Sequence, residues 1–167
     1  KVEQEPNYTY VTARILLDEL RAEALSFLGV AEESTQPEMD EYYPKALAAF
    51  IDKGIELEML DPKLKEYDLA KLGAAIEAER DYKFTYLGLQ TLYDRYFIHS
   101  QDIRYELPQI FFMRVAMGLA AEESQKEERA IEFYRLLSSF DYMSSTPTLF
   151  NSGTLRPQLS SCYLTTV

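Results

Sequence analysis

Apolar residues recur along most of this chain at the spacing of a helix with one buried face. Val11, Leu16, Leu17, Leu20, Leu25 and Phe27-Leu28 follow Asn7, a candidate cap, and run up to Gly29, a residue suited to ending a helix, so a first helix is expected from Tyr8 to Leu28. The stretch from Ala31 to Asp40 is polar and reads as a loop. From Pro44, Leu47, Phe50 and Ile51 predict a second, short helix that Gly54 should stop. Asp61-Pro62 couples a capping residue to a proline at the first helical position, and Asp68 to Ala78 repeats a start signal with Leu69, Leu72 and Ile76 on one face. Leu87, Leu89, Leu92 and Tyr96 make a further amphipathic stretch. Phe97-Ile98 and Ile103-Arg104-Tyr105 are placed to pair as a short hairpin across Ser100-Gln101-Asp102. Pro108 opens the most apolar helix, and Glu127 to Ser138 forms a last one, acidic at its start with Arg135 near its end, as the helix dipole prefers.

After Phe140 the pattern changes. Pro147, Asn151, Gly153 and Pro157 forbid a long helix, and Ser160 to Val167 is β-branched and aromatic enough for a strand. The expected fold class is therefore mainly α: a helical domain over residues 1–141, then a polar loop and a single strand over 142–167 that opens another unit. A chain starting at Lys1 and stopping at Val167 inside that strand reads as an interior piece of a longer protein. No internal repeat is found.

Charge narrows the partners. Against 17 Lys and Arg stand 28 Asp and Glu, a formal net charge of -11, and a phosphate-backbone binder needs the opposite balance. Nucleic acid is not an expected partner. No apolar run approaches the ~18 residues of a membrane span, so no membrane partner is expected either. One cysteine cannot build an internal disulfide framework, which points to a reducing, cytoplasmic setting.

Few residues invite chemistry. His99 is the only histidine; it cannot assemble a His-based metal cluster or a triad, and its hairpin position predicts solvation. Glu32-Glu33, Glu122-Glu123 and Glu127-Glu128 lack the Glu-x-x-His partner of a di-iron bundle and read as charged faces. The thirteen tyrosines read as half-buried anchors rather than a radical relay. Phosphate-cradling glycine motifs are absent from the sequence. A lone cysteine such as Cys162 is usually an inert core residue, and Thr146 and Ser161 by themselves would serve turns and caps. Composition alone thus fits a non-catalytic acidic helical interaction module.

The segment Thr146-Pro147-Thr148-Leu149-Phe150-Asn151-Ser152-Gly153-Thr154 with Arg156-Pro157-Gln158-Leu159-Ser160-Ser161-Cys162 resembles the entry to the catalytic barrel of the ribonucleotide reductase large subunit. Glu79 to Tyr96 resembles the helical domain that precedes this barrel in class I enzymes. The resemblance implies a ten-stranded α/β barrel, truncated here at its first strand. It also implies an enzyme that reduces ribonucleoside diphosphates to deoxyribonucleoside diphosphates by thiyl-radical chemistry, supplying DNA replication. Cys162 then corresponds to one of a redox pair that closes to a disulfide during turnover, and Thr146, Ser161 and Cys162 to substrate-binding positions. The partners so implied are the nucleoside diphosphate, a radical-generating small subunit that holds the metal centre, a second large subunit or higher oligomer, and thioredoxin or glutaredoxin as reductant. ATP, dATP and other nucleoside triphosphates would act as allosteric effectors outside this segment. The adenosylcobalamin-dependent reductase has a similar barrel entry and is the alternative within the family. On this reading the segment alone is inactive.

Overall fold

The computed structural model describes residues 7–140 and 151–155. Among them are six α-helices: α1 (Tyr8–Phe27), α2 (Met39–Glu56), α3 (Leu69–Ala74), α4 (Tyr86–Arg95), α5 (Pro108–Ala120) and α6 (Lys126–Ser138). One two-stranded ribbon, β1 (His99–Ser100) and β2 (Ile103–Arg104), lies between α4 and α5. The fold is mainly α, as the periodicity predicts.

Helix α5 is the centre of the packing. Every residue from Pro108 to Met117 is buried, so it presents no solvent face, and Leu20 and Leu25 of α1, Phe50 and Ile51 of α2 and Tyr134 of α6 join the same core. Phe111 meets Phe97 edge-on at 5.7 Å and Phe112 stacks on Phe84 at 6.1 Å. Such apolar burial stabilises by roughly 25 cal/mol per Å2, and an all-round apolar helix is its natural hub.

Several boundaries depart from the sequence expectations for identifiable reasons. Helix α2 begins five residues before Pro44, because a 3-10 turn at Gln36–Glu38 with a capping box on Thr35 leads straight into it. Pro44 is therefore inside the helix, against Gly73, where a Cβ would press on the Pro44 backbone. Gly54 does not stop α2 either; it makes room for Leu60, and the chain turns at Glu58, which takes φ 57°. The Asp61-Pro62 start produces only a 3-10 turn over Pro62–Glu66, with the Asp61 carboxylate accepting from the Lys63 N–H. Helix α3 ends at Ala74, and a third 3-10 stretch, Ala78–Lys83, follows. Val11 falls on the side of α1 opposite Ala13, Leu17 and Leu20 and is exposed rather than part of the core. Asn7 makes no side-chain cap bond. The hairpin forms with its second strand where expected and its first two residues further along, at His99–Ser100: His99 faces Arg104, Ser100 faces Ile103, and Gln101 and Asp102 both adopt positive φ, the two-residue turn that matches strand twist. His99 is exposed, as expected.

A second buried feature is polar. The Asp81 carboxylate accepts from Tyr43 Oη at 2.7 Å, Gln109 Nε2 at 2.8 Å and Gln36 Nε2 at 3.2 Å, and Tyr134 Oη donates to Gln109 Oε1 at 2.7 Å. Burial pushes the Asp81 pKa up to about 6, against the hydrogen bonds and the Arg21 charge that lower it. A carboxyl whose folded pKa is raised contributes stability fully present below its unfolded value, near 3.8, and lost as the pH rises through about 6. The Asp81→Asn variant, whose amide oxygen still accepts from Gln109 and whose nitrogen turns to Tyr43, is expected to lack this slope. Relative to the variant, the parent chain should lose roughly 2 kcal/mol between pH 4 and 7. Denaturant unfolding of both proteins at several pH values checks it; parallel pH profiles would refute it.

Candidate functional site

Thr146, Ser161 and Cys162, and the strand expected over Ser160 to Val167, lie outside the described residues. What the structure describes is the middle of the same polar segment, Asn151 to Leu155, and the way the helical domain holds it. Two seams do so.

The first is backbone to backbone. Thr154 forms an antiparallel bridge with Leu60, Asp61 N–H donates to Gly153 O at 3.0 Å, and Leu155 N–H donates to Met59 O at 3.2 Å. This short β-like contact is made by the turn after α2, which Glu58 redirects. Thr154 Oγ1 donates to Asn151 O at 2.6 Å, closing the segment on itself.

The second seam is buried in α5. Glu106 precedes the helix and Arg114 sits in it, both fully buried. Helical side chains lean toward the N-terminus, and Arg114 reaches back so that Nε donates to Glu106 Oε2 at 2.7 Å and Nη2 to Oε1 at 3.0 Å. The Ile98 N–H donates to the same carboxylate at 3.1 Å. Two charges are thus paired in bidentate geometry, the arrangement in which burial is tolerable. Arg114 Nη1 is directed elsewhere and donates to Ser152 O at 2.9 Å. Ser152, itself buried, returns a bond from Oγ to Val115 O at 2.9 Å.

Glycines allow the approach. A Cβ on Gly118 would overlap Ser152 Oγ and Gly153 N, so at this level α5 has no side chain and the loop backbone lies directly on it. Gly153 takes φ 79°, and a Cβ there would press on Arg114 O at 3.1 Å. Both positions need glycine, one for contact and one also for conformation.

Beside this seam opens a groove of about 820 Å3, lined among others by Met59, Arg95, His99, Asn151, Thr154 and Leu155. Asn151 and Gly153, read from the sequence as forbidding a long helix, lie in a tight turn that the Thr154 N–H closes onto Asn151 O at 3.1 Å. Glu106, Arg114 and Gly118 were not singled out by the sequence reading. The available signal was an arginine inside the chain's most apolar helix, where an unpaired charge is not tolerated. Among the described residues no helix is long and apolar enough to cross a membrane.

The described part is thus a mainly helical unit that clasps a polar loop, and a profile of the ribonucleotide reductase all-alpha domain matches residues 82–157, which include α4, α5, α6 and the clasped loop. Similarity to individual proteins extends over nearly the whole of this chain. The chain is 48% identical over 167 residues to the ribonucleoside-diphosphate reductase subunit alpha of Chlamydia trachomatis, an alignment covering 99% of this chain and 15% of that protein. It is 39% identical over 160 residues to subunit alpha of Helicobacter pylori, covering 95% of this chain and 19% of the relative. To the ribonucleoside-diphosphate reductase large chain of Schizosaccharomyces pombe it is 32% identical over 164 residues, covering 98% and 19%. The chain belongs to the ribonucleoside-diphosphate reductase large-subunit family. It spans 15 to 19% of the length of these relatives.

Proposed function

We propose that this chain is the helical domain and barrel entry of a class I large subunit that reduces ribonucleoside diphosphates to deoxyribonucleoside diphosphates in the cytoplasm. The observation that carries the reading is the clasp on Asn151 to Leu155: a glycine-bearing polar loop, in the segment that resembles the barrel entry, is fixed on a rigid apolar scaffold. Residues 1–141 act as the scaffold and 142–167 as the substrate loop and first barrel strand. Thr146 and Ser161 offer hydroxyl and backbone N–H donors to ribose and phosphate oxygens, which favour several close neutral donors. Cys162 acts as one thiol of the redox pair. A radical-generating small subunit with its metal centre, a second large subunit, and thioredoxin or glutaredoxin complete the system, with nucleoside triphosphates as effectors bound elsewhere in the subunit.

The test is substrate grip in the full-length subunit assembled with its small subunit. Replacing Thr146 or Ser161 with Ala removes a hydroxyl partner from a charged oxygen, about 1.5–3 kcal/mol, so kcat/KM should fall by roughly one to two decades. The loss should be equal for all four bases, since ribose and phosphate are common to them. A defect confined to one base, or no defect, would show that these hydroxyls serve only the fold.

A further inference from the structure

We infer that Arg114 is a positioning residue for substrate binding: paired to Glu106 inside the helical domain, it fixes the substrate loop through the Ser152 carbonyl, with Gly118 as the seat on which the loop backbone rests. The inference deepens the reading above and rests on it for the identity of the loop.

Three observations support it. Arg114 is fully buried, yet Glu106 takes only two of its donors, and Nη1 spans to a backbone carbonyl on a segment 38 residues away in sequence. A guanidinium is a planar, rigid donor array, so fixing its far edge on Glu106 also fixes where Nη1 points. Next, the return bond from Ser152 Oγ to Val115 O ties the same loop residue to the same turn of α5. Finally, the space that Gly118 leaves is filled by Ser152 and Gly153 and by no other residue among its nearest neighbours. A helix interior gains from alanine over glycine, so glycine here serves the loop and not the helix. Ser152 lies between Thr146 and Ser161, the two positions proposed to hold substrate. It is six residues from the first and nine from the second, so the clasp holds the stretch of chain that joins them.

The chemistry needs this accuracy. Effective positioning of reacting groups is lost over about 1 Å, at a cost of up to 10²-fold in rate. The backbone seam to Met59, Leu60 and Asp61 holds one side of the segment, and the buried ion pair fixes the other, at Ser152, to the core.

The experiment uses the full-length subunit with its small subunit and reductant, and the variants Gly118→Ala and Arg114→Lys. Gly118→Ala leaves the ion pair untouched and favours the helix, but displaces the loop backbone. Arg114→Lys keeps the charge beside Glu106 and removes the second edge of the guanidinium. KM for every ribonucleoside diphosphate is expected to rise about tenfold or more in both, towards the limit of about 10²-fold. Far-ultraviolet circular dichroism and oligomeric state should match the parent. A raised KM in a Gly118→Ala protein whose unfolding midpoint is that of the parent is a split that a merely structural role for Gly118 would not give. Unchanged KM in a folded Gly118→Ala protein overturns the inference. Should Arg114→Lys fail to fold, Gly118→Ala alone decides it. If the parent subunit itself binds and reduces no ribonucleotide, the functional reading fails and not the positioning argument.

Discussion

In the full-length enzyme, Cys162→Ser is expected to abolish multiple-turnover reduction while substrate binding stays within a few-fold of the parent. Replacing the ribose 2′-hydroxyl by hydrogen consumes two electrons and two protons and releases water. Two thiols supply these when they lose their hydrogens and join as a disulfide, and an external dithiol then restores them by exchange. If Cys162 is one of that pair, no neighbour can replace it, because a serine hydroxyl is neither a two-electron donor nor a partner in disulfide exchange. It keeps the size and polarity of the side chain, so the binding surface is little altered. Product measured over many turnovers with dithiothreitol or thioredoxin, alongside equilibrium binding of a nucleoside diphosphate, separates the two effects. Normal steady-state turnover would remove Cys162 from the chemistry and return it to the role of a small core residue.

The parts of the fold legible in the sequence are those set by local signals. Gly29 takes φ 72° beyond α1, Pro108 opens α5, and the apolar run of α5 is the buried centre it promised to be. Misread boundaries share one cause: a residue with a strong local preference answered to a distant neighbour. Pro44 looked like a first helical position, but the capping box at Thr35 had already started the helix, and Gly73 leaves room for the ring. Gly54 looked like a stop and is a seat for Leu60. The clasp was the least legible feature. Glu106 and Arg114 are eight residues apart across a helix start, and the third member, Ser152, is in another part of the chain, so no window of sequence shows that the three meet. The residues proposed to carry the chemistry rest on family resemblance alone, since Thr146, Ser161 and Cys162 carry no physical signal in the sequence that separates them from a turn and a core thiol.

Removing one member of the buried pair should be the most damaging single change to the stability of the helical domain. Arg114→Met leaves the Glu106 carboxylate buried with the Ile98 N–H as its remaining hydrogen bond described here, and breaking a buried pair in this way costs about 3–5 kcal/mol. Total stabilities of domains are only about 5–15 kcal/mol, so the 167-residue chain would retain a small margin. The same arithmetic predicts compensation. In Arg114→Met combined with Glu106→Leu no charge is left unpaired, the volume is kept, and much of the loss should return, as apolar replacements of buried pairs are often neutral or better. The Ile98 N–H and the Ser152 carbonyl would then be the residual cost, each about 1–3 kcal/mol if left buried without a partner. A double-mutant cycle by denaturant unfolding measures the coupling; additive losses would show that Glu106 and Arg114 act independently. The double variant also separates scaffold from site, because it restores the core without restoring the donor to Ser152. If that hydrogen bond is what aligns the loop, the full-length double variant should recover its stability and keep its weakened grip on every ribonucleoside diphosphate.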